Sequence, residues 1–436
     1  MNIGKKWVVL LLILLNVLAV ATLVPNLSQK DTSYEDTLNE ARKLKKKNLC
    51  VRAIGTYNEI LSIEDTLPVR LEMVEVYVNG LENGEYQSLY TIKDFMFQTI
   101  EKYPAIENPY EIAGEFFYEN QLIEDYIIVL KQAKKLGVHS KKLEELTDRI
   151  RYQYRSGQSM YTDVYQSETG YFTYAGSTYG FLKPNMSSAI GHNYKFAAPF
   201  SGGYAFVKTD ELTLLISENG TRQAYFDNKI KSSSGVGNGL LACLVGEKYK
   251  YYNLEGEYAF GDYLFAGRFR NNIAAVEDEA GWHLINSNQT LLSNEIYEDV
   301  KLNKLDDCTA NGIVFVKKAN EYHMLDLNLK PINNFKCDDV DPFVTDEWAA
   351  FSSKGKWGFV DKTGKVQIEA QYDCAKSFSN GFAGVKKGDK WVFINSEKKT
   401  VIDEGFDDVD YFNSRGYCFV KRDEYWSNIA LYYTEN

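Results

Sequence analysis

Histidine, proline, basic charge and familiar catalytic motifs are all in short supply in this sequence, and each shortage excludes something. There are four histidines, His139, His192, His283 and His323, and none belongs to an H-E-x-x-H pair. The helix-borne zinc site of metalloproteases is therefore absent. G-x-S-x-G, Walker and dinucleotide-binding patterns are also missing, so the usual hydrolase, nucleotide and hydride-transfer signatures do not apply. His283 and His323 directly follow Trp282 and Tyr322. That reads as strand placement, because two histidines without a third ligand make a poor metal site. Six cysteines are scattered at Cys50, Cys243, Cys308, Cys337, Cys374 and Cys418, with no C-x-x-C. Isolated buried thiols suit this spacing better than a disulfide framework or a metal cluster. Lys and Arg number 49 against 60 Asp and Glu, a net charge of −11. That balance argues against nucleic acid as a partner, since its binding depends on cations neutralising phosphates. No residue stands out as catalytic, cofactor-binding or metal-binding.

What remains is globular. With 436 residues, 44% hydrophobic and 25% charged, the chain has room for two or three domains. Lys5 and Lys6 precede an 18-residue run without charge, Trp7 to Val24. That length suits one bilayer crossing, and the lysines predict a cytoplasmic N-terminus with the bulk outside. Residues 1–25 therefore read as a signal-anchor or transmembrane helix and residues 26–32 as a linker. Ala19-Val20-Ala21 also fits a small-x-small cleavage site, so secretion after cleavage near Ala21 is the alternative.

Residues 33–155 read as helical, from apolar residues at a period of 3.6. Two helices hold Ala41, Leu44, Ala53, Tyr57, Ile60 and Leu61, and further helices are predicted over Val69–Leu81, Tyr86–Tyr103, Tyr110–Tyr118, Ile123–Leu136 and Lys141–Tyr154. Short helices with short connections make an α-solenoid or a small bundle. Leu38 to Leu61 resembles a tetratricopeptide repeat, with Ala41, Ala53, Tyr57 and Ile60 at its small, aromatic and apolar positions. That resemblance implies an interaction module. The basic group Arg42-Lys43 with Lys45-Lys46-Lys47 reads as a solvated helix face.

From residue 160 to 436 the period becomes 2 and one unit recurs. Its clearest copy runs Gly355-Lys356-Trp357-Gly358-Phe359-Val360-Asp361-Lys362-Thr363-Gly364-Lys365 and ends Phe378-Ser379-Asn380-Gly381-Phe382-Ala383. First strands centre on Tyr179, Thr213, Tyr249, Trp282, Tyr322, Trp357, Trp391 and Trp426, at spacings from 33 to 40 residues. The Trp or Tyr of a unit is predicted to be a large inward anchor or a lid on the neighbouring unit, and in five units the Asp or Asn four residues on, Asn253, Asn286, Asp326, Asp361 and Asn395, begins a tight turn. The recurrent acidic pairs Glu298-Asp299, Asp338-Asp339 and Asp407-Asp408 read as structural, because a catalytic pair is needed once and a turn in every unit.

The clearest copy closely resembles the WG (KWG) repeat family of bacterial proteins, which implies protein or ligand binding with the ligand left open. Residues 161–174 look like the second half of a unit and residues 425–433 like a first half. Their pairing would close a β-propeller of about seven or eight units; an open β-array is the alternative. The function expected is that of a membrane-anchored extracytoplasmic scaffold with no enzymatic activity. The rival is a cell-envelope enzyme, such as a glycan hydrolase, working in the propeller channel.

Overall fold

The computed structural model describes residues 32–86, 88–167, 172–344 and 348–434. The run Trp7 to Val24 and the cleavage site near Ala21 lie outside the described residues. No helix among the described residues is long and apolar enough to cross a membrane. The chain divides after Arg151 into two compact units.

Among its described residues the first unit has seven helices: α1 (Thr32–Lys46), α2 (Cys50–Ile63), α3 (Leu67–Glu82), α4 (Leu89–Lys102), α5 (Glu107–Glu119), α6 (Ile123–Lys135) and α7 (Lys141–Ile150). Ser88 and Ser140 cap α4 and α7 by accepting the N–H groups of Thr91 and Leu143, which supplies partners that helix starts lack. Ala41, Ala53, Tyr57 and Ile60 are fully buried, and small residues there let α1 and α2 pack closely. Glu72 of α3 accepts two hydrogen bonds from the Arg42 guanidinium of α1, at 3.0 and 2.6 Å, and one from the Tyr57 hydroxyl of α2 at 2.8 Å. Lys45 reaches Glu75 in the same way. The expected solvated face is therefore only partly so: Arg42 and Lys45 tie α1 to α3, while Lys46 and Lys47 stay exposed. Helix α7 ends at Ile150, short of the predicted Tyr154, because residues 154–156 are taken into a sheet of the second unit.

The second unit is an eight-bladed β-propeller. Its eight antiparallel sheets follow one another along the chain. Blades one to seven occupy residues 163–194, 196–226, 230–263, 265–285, 299–337, 339–372 and 374–406. Blade eight takes three strands from residues 408–431 and its last strand, Tyr154–Ser156, from the start of the unit. Tyr154, Arg155 and Ser156 pair with Leu431, Ala430 and Ile429. The predicted closure is met in outcome and differs in its strand. Asp163–Gln166 and Phe172–Ala175 are the opening strand pair of blade one, and Tyr161 adds a bridge to Trp426.

Apolar clusters sit between blades. One joins Phe315, Tyr322 and Met324 of blade five to Val340, Phe351 and Val360 of blade six. The seam is sealed likewise, with Val164, Tyr174 and Leu182 of blade one on Phe419 and Trp426 of blade eight. Each blade thus hides one face on each neighbour, and closure removes the free end of the array. The wide spacing from Trp282 to Tyr322 has its cause in blade four. There the outer strand shrinks to isolated bridges, Trp282 to Tyr297 and Ile285 to Leu291, within an irregular stretch.

Candidate functional site

The repeat residues come first, because their positions show which groups are already occupied. Asp361 accepts the N–H groups of Thr363 and Lys365. Asn253, Asn286, Asp326 and Asn395 do the same two and four residues on. This is the turn read from the sequence, one in each of blades three to seven. The glycine of Trp357-Gly358 has its own reason. A Cβ there would lie 2.4 Å from the Ile368 carbonyl oxygen of the next strand, at the point where the register shifts between Trp357 and Phe359. Trp391 is buried, as expected of an anchor. Trp357 is only partly buried, packing at the edge of its cluster.

Two of the three acidic pairs tie a blade to its neighbour. Asp338 and Asp407 accept the N–H groups of Lys354 and Asp423, at neighbouring hairpin turns. Asp339 and Asp408 accept their following backbone N–H and meet Lys301 and Lys376, each from the preceding blade. His283 pairs with Asp278 at 3.1 Å, and His139 is exposed. Among the described residues no cluster of His, Cys, Asp or Glu is placed to hold a metal ion. None of the six cysteines forms a disulfide and five of them are buried, and burial pushes the Cys243 and Cys337 thiols up to about 12.

What the sequence did not reveal is a cavity of about 570 Å³ lined by residues of blades one, four, five, six, seven and eight. In a ring, only the axis is common to so many blades. The lining residues mostly follow the first strand of their blade, which places those strands nearest the axis. Polar groups cross the opening there. Lys304 of blade five reaches Asp410 of blade eight at 2.7 Å, and the Tyr411 hydroxyl donates to both carboxylate oxygens of Asp341 of blade six, at 2.8 and 2.9 Å. The Ser377 N–H also donates to Asp341, at 2.6 Å.

These contacts set the charge states. Burial works against the Lys304 ammonium, but Asp410, with Asp341 and Asp408 beyond it, holds its pKa above the ordinary value. Burial raises the Asp341 carboxyl, while the Ser377 and Tyr411 donors pull it back. Behind the wall, Arg268 grips the buried Asp307 with two nitrogens at 2.5 Å, and Arg270 adds a third contact at 3.1 Å. Next to it the Asp306 carboxyl is pushed up to about 6, by burial first and by Asp307 second.

Strand order and ring closure define the second unit as an eight-bladed propeller. The model of the WG containing repeat matches residues 179–212, 357–391 and 393–426, and the chain is a WG-repeat protein. No curated protein matches the sequence. Among solved structures, a eukaryotic initiation factor is similar at 12% identity and a TM-score of 0.39, over 61% of this chain and 83% of that one. Hsv2 of Kluyveromyces lactis is similar at 9% and 0.37, over 60% and 93%. PorZ of Porphyromonas gingivalis, a surface component of a type-IX secretion system, is similar at 10% and 0.33, over 60% and 43%. All three likenesses are distant.

Proposed function

We propose that this protein is an interaction scaffold: a closed WG-repeat propeller joined to a helical module, tethered to a membrane through Trp7 to Val24 and displayed outside the cytoplasm. One observation carries the reading. The recurrent charged residues of the repeat are engaged inside the ring, in turns and blade-to-blade ion pairs. The ring is thereby a rigid platform, and rigid platforms present binding surfaces on their rims and at their axis. The helical unit supports the same reading, since the tetratricopeptide-like positions Ala41, Ala53, Tyr57 and Ile60 are all buried as helix-pairing residues. The tether rests on the charge-free run behind Lys5 and Lys6.

Two experiments test this. Crosslinking of the tagged full chain in its membrane fraction is expected to recover one recurrent partner, with crosslinks mapping to the propeller or the helices; scattered crosslinks with no recurrent partner contradict the scaffold. Fractionation is expected to place the full-length chain with membranes, and a released form beginning at Thr22 contradicts the anchor. The envelope-hydrolase reading has less support, because it needs two carboxylates facing a common space. Among the described residues lining the cavity Asp341 is the one carboxylate, and its oxygens already accept from Tyr411 and Ser377.

A further inference from the structure

The geometry points to a site for a small organic anion in the axial cavity, its carboxylate or phosphate held by Asn413 and Arg415 of blade eight. Three observations lead there. First, Asn413 lines the cavity and is 5% exposed. Its Oδ1 accepts the N–H groups of Arg415 and Tyr417, both at 3.0 Å, which fixes the amide's orientation. Its Nδ2 then has no hydrogen-bond partner. A buried amide donor left unmade is costly, so an acceptor in the cavity would relieve it.

Second, the ring contains its own comparison. Asn303 of blade five makes the same turn, accepting the N–H groups of Leu305 and Asp307. There Nδ2 is satisfied: it donates at 3.1 Å to the carboxylate of Asp307, the residue four further on. In blade eight that position is Tyr417, which offers no carboxylate. Blade five therefore shows what this turn holds when complete, a carboxylate gripped by an amide and by arginine. Blade eight keeps the amide and lacks the anion.

Third, the charge is right. In a chain of net charge −11, the described lining holds four basic residues and one acid. Arg270, Lys304 and Lys376 are tied to Asp307, Asp410 and Asp408, whereas Arg415 is exposed and makes no ion pair among the described residues. Phe343, Leu302 and Val344 add an apolar wall. A volume of about 570 Å³ suits a small molecule, and apolar walls with a few convergent polar groups are the usual form of such sites. The ligand class is thus an apolar body bearing one carboxylate or phosphate.

The test uses the full chain with benzoate, phenyl phosphate and inorganic phosphate as probes, and uncharged benzamide as the control, read by calorimetry. At least one of benzoate and phenyl phosphate is expected to bind more tightly than benzamide, with an affinity that falls as salt rises. Tighter benzoate marks a carboxylate site and tighter phenyl phosphate a phosphate site. Inorganic phosphate is expected to bind more weakly than the aromatic anions, for want of the apolar contact. Asn413→Asp keeps the Oδ1 that closes the turn and replaces only the orphaned donor by an anionic oxygen, so the fold is retained. It and Arg415→Gln are each expected to weaken binding by about tenfold or more, as loss of a hydrogen bond to a charged group does. Equal binding of benzamide, unchanged affinity in a folded Asn413→Asp protein, or no binding of either aromatic anion overturns the proposal. The scaffold reading stands or falls separately, on the crosslinking result.

Discussion

Gly358 shows how much a single position can carry. Its missing side chain lets the strand pass the Ile368 carbonyl at a register shift, so Gly358→Ala forces backbone to move. We expect it to cost roughly 1–3 kcal/mol, read as a lowered urea midpoint. At Gly180, in the equivalent place of blade one, the nearest atoms an added Cβ would meet belong to the Tyr174 side chain, from 2.7 Å, and not to backbone, so the same substitution is expected to cost less. Equal effects at both positions would refute the backbone explanation. The anchors differ too: Trp391→Ala is expected to cost about 3–5 kcal/mol as a buried aromatic, and Trp357→Ala less. Asp306 gives a pH dependence. Its carboxyl is raised to about 6 from an ordinary 3.8, by burial first, with Asp307 adding and Arg268 opposing. The folded state therefore holds the proton more tightly than the unfolded state. That contribution is complete below about pH 4 and is lost as the pH rises through about 6. Asp306 has a φ of 60°, which Asn accepts readily. Asp306→Asn is expected to remove this decline, raising stability at pH 7.5 by roughly 2–3 kcal/mol while leaving pH 4 nearly unchanged. An equal difference between the two pH values in both proteins would contradict it.

At the scale of the element, the repeat was legible because its turn chemistry is local. Asp361 with Gly364 and Asn395 with Lys399 announce a strand, a turn and a strand from side chains that bond their own backbone. Asp361→Ala is expected to cost about 1–2 kcal/mol by leaving those N–H groups without their acceptor, with hydrogen exchange rising first at residues 362–366. Exchange unchanged there would show that the side chain does not hold the turn. The acidic pairs were legible on the same ground, since recurrence at one place in each unit marks a structural part. The helices were legible from their 3.6 period, although α4 starts at Leu89 and not at Tyr86, α5 starts at Glu107 and not at Tyr110, and the end of α7 was misplaced. There the segment Tyr154–Ser156 is too short to show a period, and its strand partner lies nearly 280 residues away in sequence. The axial cavity was almost illegible. Asn413, Lys304 and Asp341 stand in different units, and only ring geometry brings them to one place. The single sign in the sequence was Asn413-Ser414-Arg415 set against Asn303-Lys304-Leu305-Asp306-Asp307, the same turn with its acid missing.

For the whole molecule, the central claim is a ring closed by the strand Tyr154–Ser156. Every other blade draws all its strands from one stretch of chain, so the seam at blade eight is made once and nothing else can replace it. In an open array a terminal change loosens its nearest neighbour only. In a closed ring the last strand of blade eight, the bridge from Tyr161 to Trp426 and the cluster of Val164 with Phe419 depend on one another. Arg155→Pro in the full chain tests this most directly. Arg155 sits opposite Ala430 in the closing pair, and proline removes a donor from that ladder. The measurement is hydrogen exchange across residues 152–175 and 408–434. The closed ring predicts that protection falls together on both sides of the seam, in residues 425–431 and in the opening strand pair of blade one. Loss confined to residues 154–156, with that strand pair as protected as before, would contradict it.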